Sequence, residues 1–268
     1  MSSPYPQQTY TSPIPVRSTH LGHAITSEWT KIRSVRSTMW TIGIMLLLVL
    51  GIGLSGALLT TDSDYAATPV TTPAAFGLML GQICVITLGV LVVTSEYGTG
   101  MIRTTLTACP QRSRVLAAKL IVFGLLAFVT TASAVGFVSL VSASLHSDAG
   151  RATSGAAWAG GVLGGSLYVT LLGLLGLAVG SMLRHSAGAI TTMLGVVLVP
   201  AVMPAFLYIW ESTQKVAETI MEYSAPSSLF TLFQVSGGET GVKQLVFLAV
   251  VTAAAVAGAF ALLGRRDV

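Results

Sequence analysis

The chain has 268 residues, of which 53% are hydrophobic and only 9% are charged, and its formal net charge is +4. Soluble domains carry roughly 25% charged residues, so this composition excludes an ordinary soluble protein and predicts an all-α polytopic membrane protein. The basic excess follows from the distribution of charge between loops, described below, and it implies no nucleic-acid partner.

The first 37 residues divide into a tail and an amphipathic segment. Residues 1–19 are rich in Pro, Ser, Thr and Gln, which predicts a disordered tail. Residues 20–37 repeat apolar side chains at spacings of three and four, as on one face of an α-helix. This pattern predicts an interfacial helix that lies along the inner leaflet and contacts membrane lipids.

Four residues of the interfacial helix are candidate contact residues. Trp29 suits the headgroup level of a membrane, and Lys31 and Arg33 flank the apolar face. Glu28 instead falls on the apolar face itself. Its carboxylate either pairs with Lys31, three residues further on, or contacts a partner or a neighbouring loop.

Six apolar stretches within residues 38–264 are each long enough to cross a bilayer, which takes about 20 residues. None of these stretches contains Asp, Glu, Lys or Arg. The spans are predicted at about 39–60, 74–94, 120–145, 156–183, 187–210 and 244–263. Residues 265–268 then form the C-terminal end.

The charged residues between the spans indicate the orientation of the chain. With an even number of spans, both termini lie on one side, and that side holds 11 of the 14 basic residues. The other side holds seven of the ten acidic residues. Because cytoplasmic loops carry an excess of Lys and Arg, we expect a multi-pass protein of the cell membrane with both termini in the cytoplasm.

The loop between the second and third predicted spans gathers polar residues that the chain otherwise lacks. Glu96 follows directly on the second span, and Gly98 and Gly100 bracket Thr99. A short helix is predicted from about residue 101 and is closed by Pro110. This helix either lies on anionic headgroups as a basic strip or docks a cytoplasmic partner through its polar side. That polar side would carry Arg103, Thr104 and Thr107.

Polar and helix-breaking residues within the spans bear on packing and on a transport pathway. Gln82 is a polar residue of the second span, and Pro200 and Pro204 should kink the fifth. The kinks are either architectural or bend the wall of a pathway. Glycines at spacings of four favour close helix packing, within the bundle or in a dimer seam. These rows pair Gly160 with Gly164, Gly161 with Gly165, and Gly176 with Gly180.

The sequence contains no motif for catalysis or metal binding. No G-x-x-x-x-G-K-[ST] loop occurs, so the chain cannot hydrolyse ATP through a P-loop of its own. No H-E-x-x-H and no Cys/His cluster occurs either, which argues against a metalloprotease. The spans lack an ionisable pair, which argues against a proton- or sodium-coupled carrier. We therefore expect no enzymatic activity, metal or cofactor in this chain.

Three segments resemble the ABC-2 type permeases of ATP-binding-cassette transporters, of the small bacterial kind whose ATPase is a separate polypeptide. They are SEWTKIRS at Ser27–Ser34, SEYGTGMIRTTL at Ser95–Leu106 followed by CPQRSRVLAAK at Cys109–Lys119, and, more loosely, SAPSS at Ser224–Ser228. The resemblance covers nearly the whole chain after about residue 20. The sequences of these segments are close to those of actinobacterial members.

The resemblance implies a type V exporter-like transmembrane domain of six helices, with the interfacial helix and a cytoplasmic coupling helix added to it. Two permeases, identical or related, would work with two cytoplasmic ATPase subunits that bind ATP and Mg²⁺. The interfacial helix would complete the ATPase contact made by the coupling helix. The implied coupling residues are Glu96, Gly98, Thr99, Gly100, Arg103, Thr104 and Thr107.

The implied function is export of a hydrophobic or amphipathic compound, such as an antibiotic, a peptide or a lipid, from the cytoplasm or inner leaflet. The apolar span interiors favour a hydrophobic substrate. The alternative is a non-transporting membrane anchor or signalling module that docks a cytoplasmic partner. Such a module would have no ATPase partner and no substrate-stimulated turnover. An intramembrane enzyme is disfavoured because no catalytic constellation can be assembled.

Overall fold

The computed structural model describes residues 20–61, 65, 68–108, 111–235 and 240–265. The predicted tail at residues 1–19, the closing Pro110 and the last three residues of the C-terminal end lie outside the described residues.

Every regular element in the described residues is a helix. A π-helical segment, Ala159–Gly165, joins the α-helices Gly155–Trp158 and Ser166–Leu183 without a break. In chain order the α-helices are α1 (Leu21–Ser34), α2 (Arg36–Leu59), α3 (Thr72–Gly98), α4 (Met101–Ala108), α5 (Arg112–Leu145), α6 (Ser147–Ala152), α7 (Gly155–Trp158), α8 (Ser166–Leu183), α9 (Ser186–Leu207), α10 (Gln214–Glu222), α11 (Ala225–Leu232) and α12 (Val242–Arg265).

Six helices of the described chain are long and apolar enough to cross a membrane, as the fold prediction requires. They are α2, α3, α5, the continuous helix Gly155–Leu183, α9 and α12. The fifth of these remains one continuous helix through Pro200 and Pro204, although neither proline has a backbone N–H to donate. The third, α5, begins at Arg112 and so carries three basic residues ahead of its apolar run.

The centre of the bundle is the packing of α3 against Gly155–Leu183. In each of these two helices, more than half of the most apolar 18-residue stretch is buried. In α2, α9 and α12 less than a quarter of that stretch is buried. The two central backbones approach closely where glycines meet. A Cβ atom built on Gly89 of α3 would lie 2.1 Å from the carbonyl oxygen of Gly173. Only a residue without a side chain fits there.

The glycine rows of the fourth span pack within the bundle, which is the first of the two readings from the sequence. A Cβ atom on Gly160 would lie 2.6 Å from the carbonyl oxygen of Leu232, and one on Gly165 would lie 2.5 Å from the ring of Phe233. A Cβ atom on Gly176 would lie 3.0 Å from a backbone oxygen of α3. Small residues thus let α11 and α3 lie against this helix.

The last described helix, α12, ends beside the start of α5, at the end of the bundle where α3 also ends. Arg112 of α5 donates a hydrogen bond to the carbonyl oxygen of Leu263 in α12 at 3.4 Å. The guanidinium of Arg184, just after α8, lies 5.2 Å from the centre of the Tyr97 ring. We call this end, which also holds α1 and α4, the basic end.

Candidate functional site: a buried charge ring

Four charged side chains from three helices meet at the basic end. Helix α1 supplies Glu28 and Lys31, which lie three residues apart and so share one helix face. Glu96 lies in the last turn of α3. Lys119 lies two turns into α5, on the side that faces α1 and α3. We call these four residues the charge ring.

The four side chains alternate in sign around a closed cycle of contacts. The Lys31 ammonium lies 2.8 Å from Glu28 Oε1 and 2.9 Å from Glu96 Oε1. The Lys119 ammonium lies 2.7 Å from Glu28 Oε2 and 2.6 Å from Glu96 Oε1. Each lysine therefore bridges both carboxylates, and the ring as a whole is electrically neutral.

The charge ring is withdrawn from solvent. The side chains of Glu28, Glu96 and Lys119 are only 2–4% exposed, and Lys31 is 24% exposed. Moving a charge out of water costs several kcal/mol per ion even after relaxation, so buried charges persist only when they are paired and hydrogen-bonded. The contacts within the ring supply that pairing.

Counting hydrogen bonds shows that the donors of the ring are used up. An ammonium group has three N–H donors. The third donor of Lys31 goes to Thr105 Oγ1 in α4 at 3.2 Å, and that of Lys119 goes to the carbonyl oxygen of Val92 at 3.5 Å. On the acceptor side, Glu96 Oε1 receives both lysines, whereas the buried Glu96 Oε2 has no partner among the described residues.

The ring affects the titration of its one partly exposed member. Burial lowers the pKa of Lys31, but hydrogen bonds and charge attraction from Glu28 and Glu96 raise it by more. The net result is a pKa above the ordinary value of 10.5, so the lysine is charged at any physiological pH.

Helix α4 lies on the surface next to the ring. Its apolar Ile102 is buried against the bundle, whereas Arg103, Thr104 and Thr107 are exposed, as the amphipathic pattern of the loop predicts. The turn into α4 is made at Gly100, whose φ of +73° is a left-handed conformation that favours glycine. Through Thr105, α4 is bonded directly to Lys31 of the ring.

The predicted contact residues of α1 divide between the ring and the surface. Glu28 pairs with Lys31, which is the first of its two predicted contacts, and it also reaches Lys119, which lies within helix α5. Trp29 is 44% exposed, and Arg33 is exposed as well.

The seven predicted coupling residues also divide. Gly98, Thr99 and Gly100 are exposed, as are the polar residues of α4. Glu96 differs from them because it is buried in the ring and cannot touch a partner directly. Its role in the site is to hold two lysines.

The predicted pathway or kink residues lie elsewhere. Gln82 is buried in α3, where its amide nitrogen donates to the carbonyl oxygen of Met79 at 2.8 Å. Pro200 is half-buried and Pro204 is buried within α9. None of the three is a member of the ring or lines the two cavities beside it.

Sequence reasoning missed Lys119 and Thr105 as members of the site. Lys119 directly precedes the apolar run of the third span, where a lysine is normal for a basic loop. The signal that could have found it is Glu28, a carboxylate on an apolar helix face that needs a buried cation.

Two cavities flank the charge ring. One, of about 80 Å³, lies between α1, the start of α2 and the end of α3. The other, of about 360 Å³, lies between α1 and α4 and is lined by His20 and His23, whose rings stack 3.7 Å apart. The described residues contain no group of three or more His, Cys, Asp or Glu that could hold a metal ion.

The comparisons with known proteins identify no family for this chain: no protein-family model matches it, and no significant match is found among curated proteins.

Proposed function

We propose that the chain is the membrane permease subunit of an ABC-2 type exporter, driven by a separate cytoplasmic ATPase. In this proposal the basic end faces the cytoplasm of the cell, and α4 is the coupling helix. The ATPase binds ATP and Mg²⁺, and the permease works as a pair with a second copy or a paralogue. The transported compound is hydrophobic or amphipathic, because the spans offer no charged group at membrane depth.

The observation that carries the proposal is the attachment of α4 to the bundle. Helix α4 follows α3 after a two-residue turn, and Thr105 in its middle bonds to Lys31 of the charge ring. The ring in turn fixes α1, α3 and α5 to one another. A push on α4 therefore reaches two spanning helices through short bonds, as energy transfer from an ATPase requires.

The exposed side of α4 supplies the surface on which an ATPase would act. Arg103 and Thr104 are both exposed and make only local bonds to their own helix among the contacts described. Their replacement leaves the ring intact, which makes them the right residues to test. Glu96→Ala is unsuitable for this purpose, because it removes the shared acceptor of both lysines.

The test is purification of the tagged full chain from its native membranes in mild detergent, followed by identification of the proteins that accompany it. We expect a stoichiometric partner that carries a G-x-x-x-x-G-K-[ST] sequence. The partner should be lost when Arg103→Ala and Thr104→Ala are combined. It should be retained by Lys215→Ala, a matched exposed change in α10.

Two results would contradict the proposal. Purification without any nucleotide-binding protein would favour a membrane anchor or signalling module. A partner that tolerates the double change in α4 would remove α4 as its docking element.

A further inference from the structure

The smaller cavity beside the charge ring has the properties of a binding site. Its volume is about 80 Å³, and a single water-sized group needs roughly 10–15 Å³. Its polar wall includes Glu96 and the exposed Ser37 and Ser95, and its apolar wall includes Leu88, Leu91 and Val92. The cavity is therefore amphipathic, and it opens at the surface where α1 joins α2.

The hydrogen bonds of the ring decide which kind of head group this cavity accepts. All three donors of Lys31 and all three of Lys119 are engaged. Glu96 lines the cavity, and its Oε2 atom is buried and finds no donor among the described residues. An unsatisfied buried acceptor is destabilising, and more so when it is charged. The site thus has a spare acceptor and no spare ammonium donor.

We propose that this cavity binds an amphipathic molecule whose head group donates a hydrogen bond to Glu96 Oε2. A hydroxyl or a primary ammonium meets that need, and the apolar chain lies along Leu88, Leu91 and Val92. A carboxylate or phosphate does not, because it would place a further acceptor next to Glu96. A quaternary ammonium has the positive charge but no N–H group to donate.

The position of the cavity suits a molecule that arrives from the membrane. It is lined by Glu28, Lys31 and Ile32 of the amphipathic α1. Trp29 and Trp40, which directly adjoin the lining residues Glu28 and Thr41 in sequence, are 44% and 73% exposed. Aromatic residues of this kind lie at the headgroup level, where amphipathic molecules also concentrate. The inference concerns binding to this chain alone, so it does not depend on the proposed ATPase partner.

The test uses the full chain in nanodiscs of phosphatidylcholine, a lipid whose head group has no hydrogen-bond donor. A dodecylamine derivative with a photoreactive diazirine in its chain is added, and labelled peptides are mapped by mass spectrometry. We expect saturable labelling within residues 32–41 and 88–96, which contain most of the residues that line the cavity.

Competition by unlabelled compounds tests the head-group rule. Dodecylamine and dodecanol should displace the probe. Dodecyltrimethylammonium and dodecanoate should compete at least about tenfold more weakly, because neither donates a hydrogen bond at neutral pH. Added phosphatidylethanolamine identifies the source of the ligand. Displacement of the probe by this lipid indicates that the ligand is a lipid. Displacement by dodecylamine but not by the lipid indicates that the ligand is a single-chain compound.

A matched pair of variants tests the location. Ser37→Leu places a larger side chain at the exposed wall of the cavity, whereas Ser34 is also exposed and does not line the cavity. We expect Ser37→Leu to abolish the mapped labelling and Ser34→Leu to keep it. Equal competition by dodecyltrimethylammonium, or unchanged labelling in Ser37→Leu, would overturn the proposal, because partition into the bilayer would then explain the result.

Discussion

Lys119→Met is the most direct test of the charge ring. The replacement keeps an unbranched side chain of similar size but removes the ammonium that lies 2.7 Å from Glu28 Oε2 and 2.6 Å from Glu96 Oε1. Glu28 Oε2 then has no donor among the described contacts, and the buried ring carries one uncompensated negative charge. Removing one partner of a buried ion pair costs about 3–5 kcal/mol. The folding equilibrium should therefore fall by roughly 10²–10³-fold or more.

The free energy of unfolding can be measured in mixed micelles with increasing denaturing detergent, followed by tryptophan fluorescence. Lys215→Met is the matched control, because Lys215 is an exposed lysine at the opposite end of the bundle. The control should change the free energy of unfolding by no more than about 0.5 kcal/mol. Equal stability of the two variants would refute the reasoning, because the ring would then contribute no more than a surface lysine.

A charge exchange distinguishes a ring from two independent pairs. In Glu28→Lys combined with Lys119→Glu, the contact between positions 28 and 119 keeps opposite charges. However, the new lysine at position 28 repels Lys31, and the new glutamate at position 119 repels Glu96. In the original chain these two contacts are 2.8 Å and 2.6 Å long. We expect this double variant to be no more stable than Lys119→Met. Recovery of the original stability would show that the pair acts alone.

Three further predictions follow from the packing and the ring. Gly89→Ala should destabilise the fold by about 1–3 kcal/mol or more, because its Cβ atom would overlap the carbonyl of Gly173. Gly51→Ala, with nothing within 4 Å, should be neutral or stabilising in the same unfolding assay. Thr105→Val should cost about 0.5–1.5 kcal/mol by removing one acceptor of Lys31. Because the pKa of Lys31 is raised above 10.5, its stabilising contribution should persist below that pH and be lost as pH rises through the higher folded-state value. Unfolding curves from pH 8 to pH 12 should show this loss for the original chain and not for Lys31→Met.

The spanning helices follow from the sequence because a lipid environment demands long apolar helices. Their ends follow less well. Apolar runs report where a helix can contact lipid, whereas a helix continues as long as its backbone bonds are satisfied. Helix α5 shows the difference, since it starts at Arg112, eight residues before the apolar run at 120. That extension is what brings Lys119 onto the same helix as the third span.

The charge ring could be predicted only in part from a single sequence. The bond between Glu28 and Lys31 joins neighbours in one helix, and helix periodicity predicts it. The bonds of Lys119 to Glu96 and to Glu28 join residues 23 and 91 positions apart. Such contacts depend on how the helices pack, which the periodicity of each helix does not fix. Glu28 on an apolar face was the clue that a buried cation had to come from elsewhere.

The ring also changes what the basic end presents to its surroundings. Both acidic residues described there, Glu28 and Glu96, are buried with lysines in a neutral cluster, while Arg33, Arg103 and Arg265 remain exposed. Each basic residue near an anionic membrane surface contributes about 1 kcal/mol of attraction. Because the ring buries two lysines together with the two carboxylates, it leaves the net charge of this end unchanged, and the exposed charges described there are basic. The fold thus divides the described charges of the basic end into a neutral cluster between helices and a basic surface.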